Sequence, residues 1–433
     1  MNRLLPIFRL CAALLAAAVF SLSPHSLAAA ERVYLDIAAS EMRKVVVAVP
    51  SFVDAAGNEN SQAGSDIAKM VARGLEFHGF IQIVDATQYA GSRGVDWQAL
   101  GADYVVKGKF ASSGSGMIIE AHLLDVVEDK MLAGRRYKGA ADQRNDMVLR
   151  LVDALIKEFT GEPGISRSSI AFVSDITGRK EVYMTDVLGR KVRRITRHNH
   201  LCVSPRFTSD GRSLAYSSYH RGNQNLYITE LNQSKVTRAL SRRKGMNLAP
   251  AFSPDGRSMV VTLSKGGSPD LYLMDLKGKI IEQLTKRSGI NVSASFAPDG
   301  KSLTFVSDRS GRPQIYVMDL QSRQTRRLTF QGSENAEPSW SPKGDKIVYT
   351  GLTEGHYQIF TMPISGGTST RVSSGPGDFE SPTWSPDGKQ IAFSRKHNGR
   401  QELGAVFVNG KGLRTLFNLK GNQSYPQWSP RSK

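Results

Sequence analysis

Between Arg167 and Arg431 the apolar residues fall in short alternating runs separated by turn residues, which is the period of strands. The runs recur. One set reads Ile170-Ala-Phe172, Leu214-Ala-Tyr216, Met259-Val-Val261, Leu303-Thr-Phe305, Ile347-Val-Tyr349 and Ile391-Ala-Phe393. A following set centres on Tyr183, Tyr227, Tyr272, Tyr316, Phe360 and, after a small insertion, Phe407; an outer set carries Ile195, Leu240, Leu284, Leu328, Val372 and Leu416. The groups after the first are preceded by a strand of Pro-x-aromatic type and a tight turn, clearest in Pro250-Ala-Phe-Ser-Pro-Asp-Gly256, Pro338-Ser-Trp-Ser-Pro-Lys-Gly344 and Pro382-Thr-Trp-Ser-Pro-Asp-Gly388. The turn glycines Gly211, Gly256, Gly300, Gly344 and Gly388 return every 44 or 45 residues. Four strands in each of six such periods predict a six-bladed all-β propeller over residues 167–431.

The two ends of this array are out of phase. The first period lacks a Pro-x-aromatic strand, while the chain finishes on Pro426-Gln-Trp-Ser-Pro430 with no strand after it. The C-terminal strand is therefore expected to complete the first blade and close the ring, which leaves no sheet edge unpaired at the junction. In the Ser-Pro-Asp-Gly turns the proline presets φ, the aspartate bonds backbone N–H groups ahead of it, and the glycine takes the left-handed conformation. Asp210, Asp255, Asp299 and Asp387 are accordingly read as turn residues and not as a catalytic set.

Residues 31–163 read differently. Lys44–Pro50 is a continuous apolar run of a buried strand, Ser65–Phe77 an amphipathic helix with Ser65 as its N-cap, and Asp142–Phe159 a second helix with Met147, Leu151, Leu155 and Phe159 on one face. Strands are expected at 81–84, 104–110, 117–124 and 131–137, and Gly161-Glu-Pro-Gly164 ends the second helix. This is an N-terminal α/β domain followed by the propeller. Ahead of both, residues 1–30 carry Arg3, Arg9, an apolar run from Leu10 to Leu22 and small residues at 28–30, the pattern of a cleaved export signal. In Glu31–Ile37, Val33, Leu35 and Ile37 share a face if extended; the segment is either a first edge strand or a strand offered to another protein.

Composition narrows the setting. The formal net charge is +18, but the basic residues are scattered over blade hairpins and the export signal removes nucleic acid from reach. The two cysteines are Cys11 and Cys202; loss of the signal leaves one, so no internal disulfide forms, and the compartment expected is the periplasm. Chemistry is sparse: there is no Gly-x-Ser-x-Gly elbow and no phosphate-binding loop. His198, His200 and Cys202 alternate as metal ligands sometimes do, without a nearby fourth, and are read as loop residues. What remains is a ring of loops, each joining an outer strand to the next inner strand, gathered on one face around the channel. The candidate contacts there are His200, Met246, Asn247, Ile290, Asn291, Val292, Ser293, Asn335, Glu337, Phe379 and Gln423.

The order of export signal, α/β domain and propeller, with its Pro-x-aromatic-Ser-Pro-Asp-Gly wording, resembles the TolB family, periplasmic components of the bacterial Tol-Pal envelope system. The resemblance spans essentially the whole mature chain. It implies a non-enzymatic adaptor that binds Pal, the peptidoglycan-associated lipoprotein, at the channel mouth, and TolA through the N-terminal segment. Arg32, Val33, Tyr34, Leu35, Asp36 and Ile37 are then the candidates for the second contact. Met246 and Val292 occupy positions similar to the family's Pal-contacting ones, with apolar residues here where polar ones are common. No cofactor is expected; the resemblance allows a channel-bound cation such as calcium, since some members show a metal ion there, but no residue pattern in this sequence calls for one. Two other classes stay open on residues alone: a periplasmic hydrolase or lyase using Glu334, Glu337 and Glu380, and a cell-wall polysaccharide-binding module.

Overall fold

The computed structural model describes residues 43–59, 61–92, 94–232 and 236–431. The expected export signal and the expected partner segment Arg32, Val33, Tyr34, Leu35, Asp36 and Ile37 lie outside them. Strands β1 (Val45–Ala48), β2 (Ile81–Ile83), β3 (Tyr104–Ser113), β4 (Gly116–Asp125) and β5 (Lys130–Ala140) form one sheet in the order β2-β1-β3-β4-β5. β1 runs parallel to both neighbours because α1 (Gln62–Phe77) crosses over between β1 and β2; β3 to β5 form an antiparallel meander. Helix α2 (Arg144–Thr160) follows the sheet. Both helices bury apolar stripes, Ile67, Val71 and Leu75 from α1 and Met147, Leu151, Leu155 and Phe159 from α2, against Val47, Val106 and Ile119. Burying each such side chain stabilises the domain by about 1.5–3 kcal/mol. The cap of α1 is Ser61, one turn ahead of the expected Ser65: its Oγ accepts from Gly64 N at 3.1 Å, while Ser65 N already donates to Ser61 O inside the first turn. Gly161, at φ 75°, ends α2 as anticipated.

Six four-stranded antiparallel sheets follow, and the ring closes through the C-terminal strand. Gln423–Trp428 pairs with Ser169–Ser174, with Trp428 opposite Ile170, ahead of Glu181–Asp186 and Arg193–Arg194 in the same sheet. The turn aspartates behave as read: Asp210, Asp255, Asp299 and Asp387 accept the backbone N–H of Arg212, Arg257, Lys301 and Lys389 at 2.9–3.1 Å. Counting blades from the closing one, blade six departs from expectation. Gly404, and not Phe407, stands opposite Phe393, in the register that pairs Phe172 with Tyr183 and Tyr216 with Tyr227. No insertion exists there. A Cβ at Gly404 would lie 2.5 Å from the Phe393 ring, so only glycine fits, and Phe407 is freed to enter the core of the α/β domain beside Gly79.

Blades are fastened by a repeated buried polar lock that the sequence reading missed. In blade three, Thr285 Oγ1 accepts from Leu271 N at 2.9 Å and donates to Asp270 Oδ1 at 2.8 Å; Asn291, first residue of the next inner strand, donates to the same carboxylate at 3.1 Å. Blade four repeats it with Thr329, Gln314 and Asn335, the last two 2.9 Å apart. Asn247 likewise donates to the Gln224 carbonyl across the previous junction at 2.9 Å. A Thr or Ser after the outer apolar residue, at 196, 241, 285, 329 and 373, was the visible signal.

The α/β domain meets the propeller through His78. The ring is buried, its Nδ1 donating to Gly74 O at 2.9 Å and its Nε2 accepting from Ile165 N at 3.2 Å, so the neutral tautomer is selected. Arg414 Nη2 donates to the Phe77 carbonyl at 3.0 Å, and the Phe77 and Trp428 rings lie 6.0 Å apart. Burial, partly opposed by attraction to Asp387 and the bond to Gly74, pushes His78 down to about 4.

Two outcomes follow. Asn291→Ala should destabilise the chain by about 1–3 kcal/mol in urea titration, because the Asp270 carboxylate loses a donor in a buried place. For His78, the unfolded imidazole takes up a proton below about pH 6.5 that the native one refuses until about 4. Its contribution is thus whole above pH 6.5 and drains away as the pH falls towards 4. Relative to wild type, His78→Asn should show a shallower loss of unfolding free energy across that window, by up to about 1.4 kcal/mol per pH unit. Parallel pH profiles would rule this out.

Candidate functional site: the channel mouth

The loops joining outer to inner strands surround one end of the channel, but their residues divide into two kinds. At one repeated position near the start of the inner strands the side chains turn inward: Asn247, Asn291, Asn335, Phe379 and Gln423 are all buried, the three asparagines within the polar lock. Gln423 Nε2 donates to the carbonyls of Lys420 at 3.1 Å and of Gly421, and Phe379 packs on Phe393 with ring centroids 5.4 Å apart. The structure places these five expected contacts inside, because side chains along a strand alternate in direction and theirs face the blade interior. The residue just before each is the one that emerges. Leu201, Met246 and Ile290 stand 38%, 38% and 46% exposed on three successive blades, an apolar arc that Phe330, 71% exposed in the next loop of the ring, extends. Met246 and Ile290 were expected; Leu201 was legible from its identical place in the repeat. His200 is exposed beside it, Val292 half-buried and Ser293 exposed.

Inside the mouth the inner strands carry a bulge. Ser204, Ser293, Glu337, Ser381 and Tyr425 have φ between 51° and 56°, each within or beside a shift in strand register. A left-handed non-glycine residue costs about 1–3 kcal/mol, and the bulge re-aims its side chain. All five line a channel cavity of about 480 Å³. Below them Arg206, Ala251, Ser295, Ser339, Thr383 and Gln427 form a second ring, one from each blade. Most of these are small, which is why the cavity exists.

Charge around the mouth is uneven. The loops after blades two and three bring Arg242, Arg243, Lys244, Lys286 and Arg287, whereas blades five and six bring Glu334, Glu337, Asp378 and Glu380. Tyr357 donates towards Glu334 at 3.5 Å. The Glu380 carboxyl is raised first by burial and then by its neighbours Glu337 and Asp378. Glu337 is held by three donors: Ser381 N at 2.6 Å, Ser381 Oγ at 2.9 Å and Thr350 Oγ1 at 2.9 Å.

The alternating trio separates. Cys202 is fully buried, donating towards Glu181 at 3.5 Å, and burial pushes its thiol up to about 12. His198 shares a hydrogen bond with the Tyr216 hydroxyl at 2.9 Å and stacks on His220 at 4.0 Å between centroids, while His200 faces outward. Among the described residues no three His, Cys, Asp or Glu side chains are grouped to hold a metal ion. Nor does the channel suit calcium. Of the residues lining it Glu337 is the one carboxylate, its oxygens already bonded, and Arg206 sets a fixed positive charge in the same space.

The comparisons with known proteins agree with this architecture. Residues 156–432 match the family described as the TolB beta propeller domain, and residues 33–132 the TolB amino-terminal domain. A Tol-Pal system protein TolB of Desulfotalea psychrophila is 50% identical over 214 residues, covering 49% of each chain. That of Desulfosudis oleivorans is 35% identical over 216 residues, covering 47% of this chain and 49% of its own. The chain spans about half the length of the curated relatives it matches. The crystal structure of TolB from Acinetobacter baumannii superposes with a TM-score of 0.80 at 27% identity, covering 90% of this chain and 97% of that one. With a six-bladed ring closed by its last strand and an α/β domain docked on it, this chain belongs to the TolB family.

Proposed function

We propose that this chain is a periplasmic adaptor of the Tol-Pal system. Its propeller mouth binds the peptidoglycan-associated lipoprotein Pal, and its N-terminal segment around Arg32–Ile37 binds TolA, supporting outer-membrane integrity and envelope constriction at division. The observation that carries the reading is the apolar arc of Leu201, Met246 and Ile290 on rigid loops above an open channel. Large apolar side chains held in water by a locked frame gain by being covered, and a preorganised frame loses little entropy when they are. The curated names of the relatives support the system, and the pinned state of Glu337 supports recognition over turnover.

Met246→Asp and Ile290→Asp should each weaken binding of the soluble Pal domain at least tenfold by calorimetry while leaving the melting temperature unchanged, since neither side chain is in a core. Unchanged affinity in both would remove the mouth from the interface. Deleting residues 31–40 should weaken binding of the TolA periplasmic domain and spare that of Pal; the reverse pattern would exchange the two sites.

A further inference from the structure

Arg206 is out of place. In the lower channel ring the other five positions are Ala251, Ser295, Ser339, Thr383 and Gln427, none charged. Among the described residues the one hydrogen bond of its side chain runs from Nη1 to the carbonyl of its own neighbour Pro205, at 3.1 Å, and no carboxylate reaches ion-pair distance. Burial lowers its basicity, with Glu337 and Tyr425 attracting it from farther away. Glu337 stands three blades off, across the axis, and spends its oxygens on Ser381 and Thr350. A guanidinium carries five N–H donors in a planar fork, so most of its binding capacity is unspent where the half-buried side chain lines the channel cavity.

We propose that Arg206 is the seat for a carboxylate side chain, an Asp or Glu that the protein docked at the mouth inserts down the channel. This deepens the adaptor reading and rests on it for the identity of the partner. Three features favour it. The second ring is lined by small residues that leave the axis open to a side chain. The loops above, with Arg242, Lys244, Lys286 and Arg287, draw an acidic surface towards blades two to four. Glu337 and Glu380 repel an acid from the opposite side, so the approach is confined to the Arg206 wall. The parallel N–H pair of arginine then gives a bidentate contact that neither lysine nor serine reproduces.

The test uses the mature full-length chain and the soluble Pal domain from the same organism. Arg206→Ser introduces the residue that blades four and five carry at this position, so the ring should still form. The expected result is a Kd raised at least tenfold with a melting temperature equal to or above wild type, and only partial recovery in Arg206→Lys. Neutralising Pal carboxylates one at a time should then find a single position whose loss costs nothing further in Arg206→Ser. Wild-type affinity in Arg206→Ser would overturn the proposal. A second arm separates it from the choice of partner: sodium acetate against sodium chloride at fixed ionic strength, read by the melting temperature. If wild type ignores Pal but acetate stabilises it and not Arg206→Ser, the carboxylate seat stands and Pal is the wrong partner. If neither Pal nor acetate distinguishes the two chains, the seat is overturned.

Discussion

Every structural property of the propeller passes through the hydrogen bonds that fasten one blade to the next in its interior. Asp270, Thr285 and Asn291 show the logic: a buried acceptor, a hydroxyl that ties it to the backbone of its own blade, and an amide from the next. Buried polar groups are expensive to leave unpaired, so a blade that slipped against its neighbour would strand several of them together. The penalty for slippage is what makes six otherwise separate sheets behave as one frame. Closure by Gln423–Trp428 brings the same restraint to the junction where chain connectivity is absent, with Trp428 Nε1 donating to Ser168 Oγ at 2.7 Å.

A frame of that kind decides what its rim can do. Because Asn247 and Asn291 are consumed by the lock, the residues immediately before them have nowhere to go but outward, and Met246 and Ile290 are presented at fixed separation. The strained bulges one turn of strand further in have the same origin, since a locked neighbour is what holds Ser293 or Glu337 at positive φ. Apolar rim, basic half, acidic half and an unneutralised guanidinium within the channel therefore form one surface.

The α/β domain is attached by equally specific means. Phe407 leaves its own blade for the core of that domain, and the glycines Gly79 and Gly404 mark the two places where the exchange needs room. His78 sits where helix α1 ends and the propeller begins, neutral because two backbone groups require opposite roles of its two nitrogens. Protonating it would break the bond from Ile165, which couples the junction between the domains to acidity.

Repetition made the blade count, the ring closure and the turn role of the aspartates legible, because period-2 runs and turn residues act locally and announce themselves in order along the chain. The helix stripes around Leu75 and Leu151 were legible for the same reason. Other facts depended on neighbours far away in the sequence. Asn291 at the start of a strand reads as a loop amide until Asp270 of the preceding blade is placed beside it. Phe407 reads as a blade aromatic until Phe393 is seen to fill the space above Gly404, and Arg206 reads as a surface cation until five other blades enclose it. Chain chemistry alone determined which strands form and in what cycle; only the closed ring decided which side chains face the channel, which the rim, and which the seams, since those directions are set by packing between segments that the chain keeps apart.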